Sequence, residues 1–368
     1  MSLMQIFTFW KGRVALYAIL KALDIGAGDA VLMPGYTCMV VPSAVAFLGA
    51  RPVYADVAPD SYNVTRATLE AAWRKHRGPR PRAVIIQHTY GIPVEAGPII
   101  DWARDEGLAV VEDCAHVLAS SYRGTPCGQL GDAAFFSSQW NKPVTTGLGG
   151  WCTAGTGTLS TRLGRIRQEF SPPGFPAAAQ VAALFFIHRL LYRPQFYWPL
   201  MHLYRAMGRR GLVVSSSSPE EFEVSMPQRY TWRMSTLQER LLEKALGKVT
   251  GIIAHRQVMA EIYARELSQA GWATPGVPPQ ASAIFVRYPV QVKDKAGLLR
   301  LARENRMELG DWFVSPLHPL TENLEKLGYR TASCPVAEEL CQKVINFPTH
   351  PRITAKEAFR IVHAVMHY

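Results

Sequence analysis

Short apolar runs alternate with helix-patterned stretches through the first 155 of 368 residues, and this alternation constrains the fold more than any other feature. Leu16, Ile19, Leu20 and Leu23 share one helical face. A turn at Gly26-Ala27-Gly28-Asp29 then leads into the run Ala30 to Met33. Further apolar runs fall at residues 52–57, 83–87 and 108–113, separated by helical patterns near 39–48, 65–75 and 95–106. Strands buried on both faces read as unbroken apolar runs, and their alternation with helices predicts an α/β fold with a mostly parallel sheet. Ligands of such sheets bind beyond the carboxyl ends of the strands, where Asp113 falls.

Asp113 is followed by Cys114-Ala115-His116. About thirty residues on, the segment Gly131 to Lys142 leads to the glycine-rich Gly147-Leu148-Gly149-Gly150. A carboxylate ending one strand and a lysine just past a second suit pyridoxal phosphate (PLP) chemistry. The amine can attach to the cofactor's aldehyde, and the carboxylate can pair with the pyridine nitrogen so that the ring draws electrons. Either residue alone reads more simply as a turn residue or a surface base; the ordered pair carries the inference.

Composition narrows the rest. Apolar content of 48% with 19% charged residues is that of an ordinary globular protein. The six cysteines form no CxxC pair, which predicts reduced, buried thiols, no structural metal and a cytoplasmic setting. No secretory signal is visible at the N-terminus. The net charge of +11 comes from scattered bases, which argues against nucleic acid and fits either an anionic partner or a merely soluble surface. Residues 171–228 break the α/β rhythm with an apolar run around Val181–Ile187 and an aromatic, basic stretch to Arg210. The run is shorter than the roughly 20 residues of a spanning helix. Two readings of residues 177–210 stay open: a core or interface hairpin, and a peripheral contact with the inner face of a membrane through Phe185, Phe186, Ile187, Leu190, Leu191 and nearby aromatics and arginines. Beyond it, an amphipathic pattern from Met234 to Leu267, an apolar run at 284–292 and helical patterns near 296–305 and 355–367 predict a small α+β unit.

The chain resembles the PLP-dependent nucleotide-sugar aminotransferases of the DegT/StrS group. The motifs that carry the resemblance run in order: Gly12-Arg13-Val14-Ala15-Leu16, Met33-Pro34-Gly35-Tyr36-Thr37, Gly49-Ala50-Arg51-Pro52-Val53, His88-Thr89-Tyr90-Gly91, Glu112 to His116, Gly131 to Ser137 with Lys142, Arg233-Met234, Pro316-Leu317-His318 and Pro335 to Glu338. The resemblance implies an aspartate-aminotransferase-like (fold type I) architecture. A PLP-binding large domain, 1–230, would hold a seven-stranded sheet between helices, with an insertion at about 171–228. A small C-terminal α+β domain would follow, 231–368.

The same resemblance implies roles. Lys142 is the catalytic lysine that binds the cofactor, and Asp113 the partner of the pyridine nitrogen. His116 lies near the ring, Ser137 at a phosphate-binding hydroxyl, and Gly12 and Arg13 at the helix start that meets the phosphate. Helix N-termini favour anions, which supports the last assignment independently. Cys38 stands where the family has a stacking aromatic, Thr231 where it has an asparagine reaching the neighbouring subunit's phosphate, and Trp312 where it has a histidine. Lys11-Gly12-Arg13 replaces Ser-Gly-Thr, so bases substitute for a hydroxyl. Tyr36, His88, Tyr90, Trp312 and His318 are the expected substrate contacts. The implied activity is amino transfer from glutamate or glutamine to a keto sugar, nucleotide-linked, in surface polysaccharide, lipopolysaccharide or secondary-metabolite sugar synthesis, by a homodimer. Two alternatives are a lipid-linked or membrane-proximal keto substrate, and a regulatory protein of the same fold without turnover.

Overall fold

The computed structural model describes residues 4–140, 142–191, 207 and 217–368. Its centre is a seven-stranded sheet made of β1 (Gln5–Phe9), β2 (Ala30–Pro34), β3 (Arg51–Ala55), β4 (Pro81–Gln87), β5 (Ala109–Asp113), β6 (Ala133–Ser137) and β7 (Gly150–Ala154). The spatial order is β1-β7-β6-β5-β4-β2-β3. The run from β6 to β3 is parallel throughout, while β7 is antiparallel to both β6 and β1.

The continuous apolar runs follow from burial on both faces. In β2, Ala30 and Leu32 enter one core while Val31 and Met33 enter the other; in β4, Val84 and Ile86 oppose Ala83 and Ile85 in the same way. Helix α1 (Gly12–Ala22) buries Val14, Leu16, Ile19 and Leu20 against one face. Helix α2 (Arg66–Lys75) begins where Thr65 and Thr68 form a reciprocal capping box.

The C-terminal part carries an antiparallel pair, β8 (Arg287–Gln291) with β9 (Val344–Pro348), packed against long helices. The single amphipathic helix expected over 234–267 is two helices, Thr236–Leu246 and Val249–Gln269. The break falls at Gly247-Lys248, and glycine is the poorest helix former after proline. The segment Leu317–His318 pairs in parallel with Thr37–Cys38, which sets His318 beside Cys38. The backbone bonds Thr37 N to Pro316 O (2.9 Å) and Met39 N to His318 O (2.8 Å) fix this junction.

Helix α3 (Phe175–Leu191) carries the apolar run Val181–Ile187 of the insertion. Val181 and Phe185 turn into the core, whereas Phe175, Phe186, Ile187 and Leu190 are exposed. Phe185 is therefore a core residue and not an insertion residue. Tyr192, Arg193, Phe196, Tyr197, Trp198, Arg205, Arg209 and Arg210 lie outside the described residues. No helix among the described residues is long and apolar enough to cross a membrane.

Candidate active site

Adjacent parallel strands deliver the two central residues. β5 ends at Asp113, whose register partner on β6 is Phe135; β6 ends at Ser137 and opens into the turn that carries Lys142. That turn is closed by Ser138 N to Gly149 O and Thr146 N to Ser138 O, both 2.9 Å, and by the Ser138 and Thr146 hydroxyls at 2.8 Å.

Asp113 is buried, and burial raises its carboxyl to about 6, against the opposing pull of a 2.9 Å bond from Ala115 N and of the Lys142 and His88 charges. Lys142 is half-buried. Desolvation lowers its amine to about 8, with Asp113 and Cys38 holding it up and Arg13 and Arg287 pushing it down. An amine depressed in this way is available in its neutral form near neutrality.

The N-terminus of α1 arrives beside Ser137 because two glycines let it through. A Cβ on Gly12 would stand 2.9 Å from Phe136 O and 3.2 Å from Ser137 Cβ, and one on Gly150 would stand 2.1 Å from Gly12 N. The helix starts with no side-chain cap and no acidic residue in its first turn. An anion placed there meets free amide donors and the positive end of the helix dipole. The flanking bases are partly neutralised: Arg13 Nη1 lies 2.5 Å from Glu221 Oε1, and Lys11 Nζ lies 3.9 Å from Glu221 Oε2.

On the other side, the Trp312 ring organises the site. His116 stacks on it at 5.0 Å and 11°, Lys142 Nζ lies 5.1 Å from its centre, and Arg287 Cζ lies 5.0 Å from it. His116 Nδ1 accepts from Tyr90 N at 3.3 Å, so the neutral ring carries its proton on Nε2. Burial, with Lys142 and Arg287 nearby, holds His116 well below its ordinary pKa and keeps it neutral. His318, half-buried, is lowered to about 4, chiefly by burial.

The residues expected at the cofactor therefore form one cluster from Gly12, Arg13, Cys38, Asp113, His116, Ser137 and Lys142, joined by Trp312 and His318. Thr231 stands apart: it is exposed and donates to Gln228 O at 3.2 Å. Three expected substrate contacts need correction. His88 is fully buried, with Nε2 bonded to Glu112 at 3.0 Å and Nδ1 accepting from Val94 N at 3.1 Å, so neither ring nitrogen is left for a substrate. The hydroxyls of Tyr36 and Tyr90, also fully buried, bond to each other at 2.7 Å, and Tyr90 donates to Trp312 O. Tyr90 stacks on His116 at 6.2 Å and 18°, and Tyr36 packs against Tyr90.

His88, Glu112 and Cys114 converge closely enough to suggest a metal, but their polar atoms are already engaged. Glu112 also accepts from the amides of Gly128, Leu130 and Gly131 at 2.7–2.9 Å, which anchors that loop. Sequence reading missed Arg287 and Glu308. The only signal was a lone arginine in an otherwise apolar run, Ile284-Phe285-Val286-Arg287-Tyr288.

The profile of the DegT/DnrJ/EryC1/StrS aminotransferase family matches residues 6–175 and 200–366. The chain is similar to a GDP-perosamine synthase of Caulobacter vibrioides, 26% identical over 96% of this chain and 83% of the relative. It is also similar to a UDP-N-acetyl-3-dehydro-alpha-D-glucosamine 3-aminotransferase of Acidithiobacillus ferrooxidans, 25% identical over 96% and 82%. Among solved structures it resembles a DegT DnrJ EryC1 StrS aminotransferase from Brucella abortus, with a TM-score of 0.75 and 22% identity over 99% of this chain and 85% of that one.

Proposed function

The chain belongs to the DegT/DnrJ/EryC1/StrS aminotransferase family, and on that premise we propose that it transfers an amino group from glutamate or glutamine to a nucleotide-linked keto sugar at the Lys142 site. The protein is a PLP-dependent transaminase of fold type I, which sets aside the non-catalytic alternative. The nucleotide-sugar substrates named for its relatives support the acceptor class, with polysaccharide, lipopolysaccharide or secondary-metabolite sugar synthesis as the setting. The observation that carries the proposal is Asp113 at the end of β5 with Lys142 in the turn that follows the adjacent β6, beside the uncapped start of α1.

The residues present fit the cofactor. The α1 amides and Ser137 would hold its phosphate, Asp113 its ring nitrogen and Lys142 its aldehyde, with His116 Nε2–H as a donor beside the ring. Bound there, PLP supplies an electron-withdrawing ring that acidifies the α-hydrogen of an attached amino acid. Asp113 keeps the proton on the ring nitrogen by its charge. Lys142 would take the proton from the donor's α-carbon and return it across the nitrogen to the carbon two atoms away; its depressed pKa lets the same amine accept and give back that proton near neutrality. Trp312, His116 and the buried tyrosines exclude water around the amine, which strengthens every charge interaction in the site.

Under the same reading the chain divides at about residue 230 into a PLP-binding domain and a small C-terminal domain, and works as a cytoplasmic homodimer in which exposed Thr231 approaches the second copy's phosphate site. The exposed Phe186, Ile187 and Leu190 belong in this reading to the contact between copies. A membrane-proximal acceptor is the second reading, favoured by the same apolar face. An acceptor screen of keto nucleotide sugars with glutamate, read by mass spectrometry, tests the proposal. An aminated sugar supports it; turnover only with keto compounds that lack a nucleotide overturns the acceptor class.

A further inference from the structure

We propose that Glu221 is a built-in anion that competes with the cofactor phosphate for Arg13 and Lys11, so that loading the cofactor displaces the 217–222 segment. The inference rests on the PLP reading above and adds a control on loading to the same site. Arg13 lies in the first turn of α1, and Lys11 immediately precedes that helix. Both side chains are buried and both meet one carboxylate: Arg13 Nη1 lies 2.5 Å from Glu221 Oε1, and Lys11 Nζ lies 3.9 Å from Glu221 Oε2. Arg13 Nη1 also donates to Ser217 Oγ at 3.3 Å, and Ser218 N donates to Glu221 Oε2 at 2.8 Å. Burial pushes the Glu221 carboxyl up, but Arg13 and Lys11 hold it below the usual range, so it stands there as an anion.

The segment that carries this carboxylate has little else to hold it. Among the side chains described from 217 to 229, Glu221 alone is buried; Phe222 beside it is exposed, and Val224 reaches the core only in part. Its helix, Pro219–Phe222, is a single turn. The ion pair is therefore the main anchor. A buried arginine must keep a counter-charge, but one anion can replace another there without uncovering apolar surface.

The same surroundings hold more donors and more positive charge than the carboxylate uses. The Tyr230 hydroxyl is buried and has no hydrogen-bond partner among the described residues, while its ring packs at 5.6 Å against Tyr17 of α1. Arg13 and Glu221 are foremost among the charges acting on it. Burial and then the Arg13 charge lower Lys11 to about 7, so one carboxylate does not balance the two bases. The Arg13 charge also acts on Cys38 and Lys142, on the cofactor side of α1. A phosphate brings a second negative charge and a third acceptor oxygen, and the α1 amides favour it. With it in place the Glu221 carboxylate faces a like charge and is driven off.

The test measures binding and exchange, without turnover. The full chain, freed of cofactor, is titrated with inorganic phosphate, pyridoxal phosphate and pyridoxal, read by calorimetry and by the absorbance of the attached aldehyde. Glu221→Gln is expected to bind phosphate and pyridoxal phosphate about 10- to 100-fold more tightly than the parent. Pyridoxal, which lacks the phosphate, is expected to bind both proteins alike. Equal or weaker phosphate binding by folded Glu221→Gln overturns the inference and leaves Glu221 as a residue that positions Arg13. A gain of the same size for pyridoxal overturns it too. A second measurement needs no variant: hydrogen exchange of peptides covering 217–229 in the parent, with and without phosphate. Faster exchange with phosphate is expected, because Ser218 N loses its carboxylate; slower or unchanged exchange overturns the inference. A parent that attaches no pyridoxal phosphate removes the PLP reading itself, and this inference with it.

Discussion

The Lys142 amine and the Asp113 carboxylate stabilise each other's charge in a site whose burial opposes both. Each is displaced towards neutrality, to about 8 and about 6, and each charge pulls the other back towards its ionised form. The pair is therefore poised where small changes in charge alter protonation near neutral pH.

Asp113→Asn should act oppositely on stability and on activity. The folded carboxyl titrates near 6 against 3.8 when unfolded, so the folded chain binds more protons between those values and loses stability as pH rises through that window. Without cofactor, Asp113→Asn should melt higher than the parent at pH 7.5, by on the order of 1–3 kcal/mol, and match it below pH 4. With cofactor the variant should lose roughly 10²- to 10⁴-fold in turnover, because an amide cannot hold the ring proton. Melting curves at both pH values, with kcat, check both halves; parental activity would make Asp113 a strand-end residue only.

Gly150→Ala should disrupt the anion site. Its Cβ would fall within 2.4 Å of Gly12 N, Gly12 Cα and Lys11 C, so α1 must shift from Ser137. Destabilisation of about 3 kcal/mol or more is expected, with weakened cofactor binding. Gly155→Ala, where a Cβ meets nothing within 4 Å, is the control and should stay close to the parent. Chemical denaturation of both variants decides it.

Glu221→Gln should leave Arg13 buried without its counter-charge. Loss of one partner of a buried pair costs about 3–5 kcal/mol. Inorganic phosphate should recover part of that by supplying an anion at the same end of α1. Denaturation with and without phosphate measures both effects. No phosphate dependence would separate Arg13 from the phosphate site.

The sheet was legible because its strands are buried on both faces, as Val31 and Met33 against Ala30 and Leu32 show. The Asp113 and Lys142 positions were legible because strand ends are local features. His88, Tyr36 and Tyr90 were misjudged because closeness to the site in sequence does not reveal exposure, and their polar atoms bond inward. Arg287 and Glu308 gave little signal because long-range bonds, the pairing of residues 317–318 with 37–38 and Val286 N to Tyr90 O, bring the C-terminal part to the strand ends. The break in the helix pattern at Gly247 was missed because one glycine within an amphipathic pattern is often tolerated.

Light scattering should give a dimer mass at assay concentrations, with Phe186→Asp and Leu190→Asp shifting it towards monomer. An unchanged dimer that binds anionic liposomes only with both residues intact would move that face to the membrane reading.

The central claim is that Lys142 holds the cofactor. Borohydride reduction of the purified, cofactor-loaded protein, followed by peptide mapping, tests it most directly. A stable pyridoxyl adduct is expected on the Lys142 peptide and not in Lys142→Ala, which should remain folded while losing about 10³-fold or more in turnover. An adduct on any other lysine of the parent would contradict it.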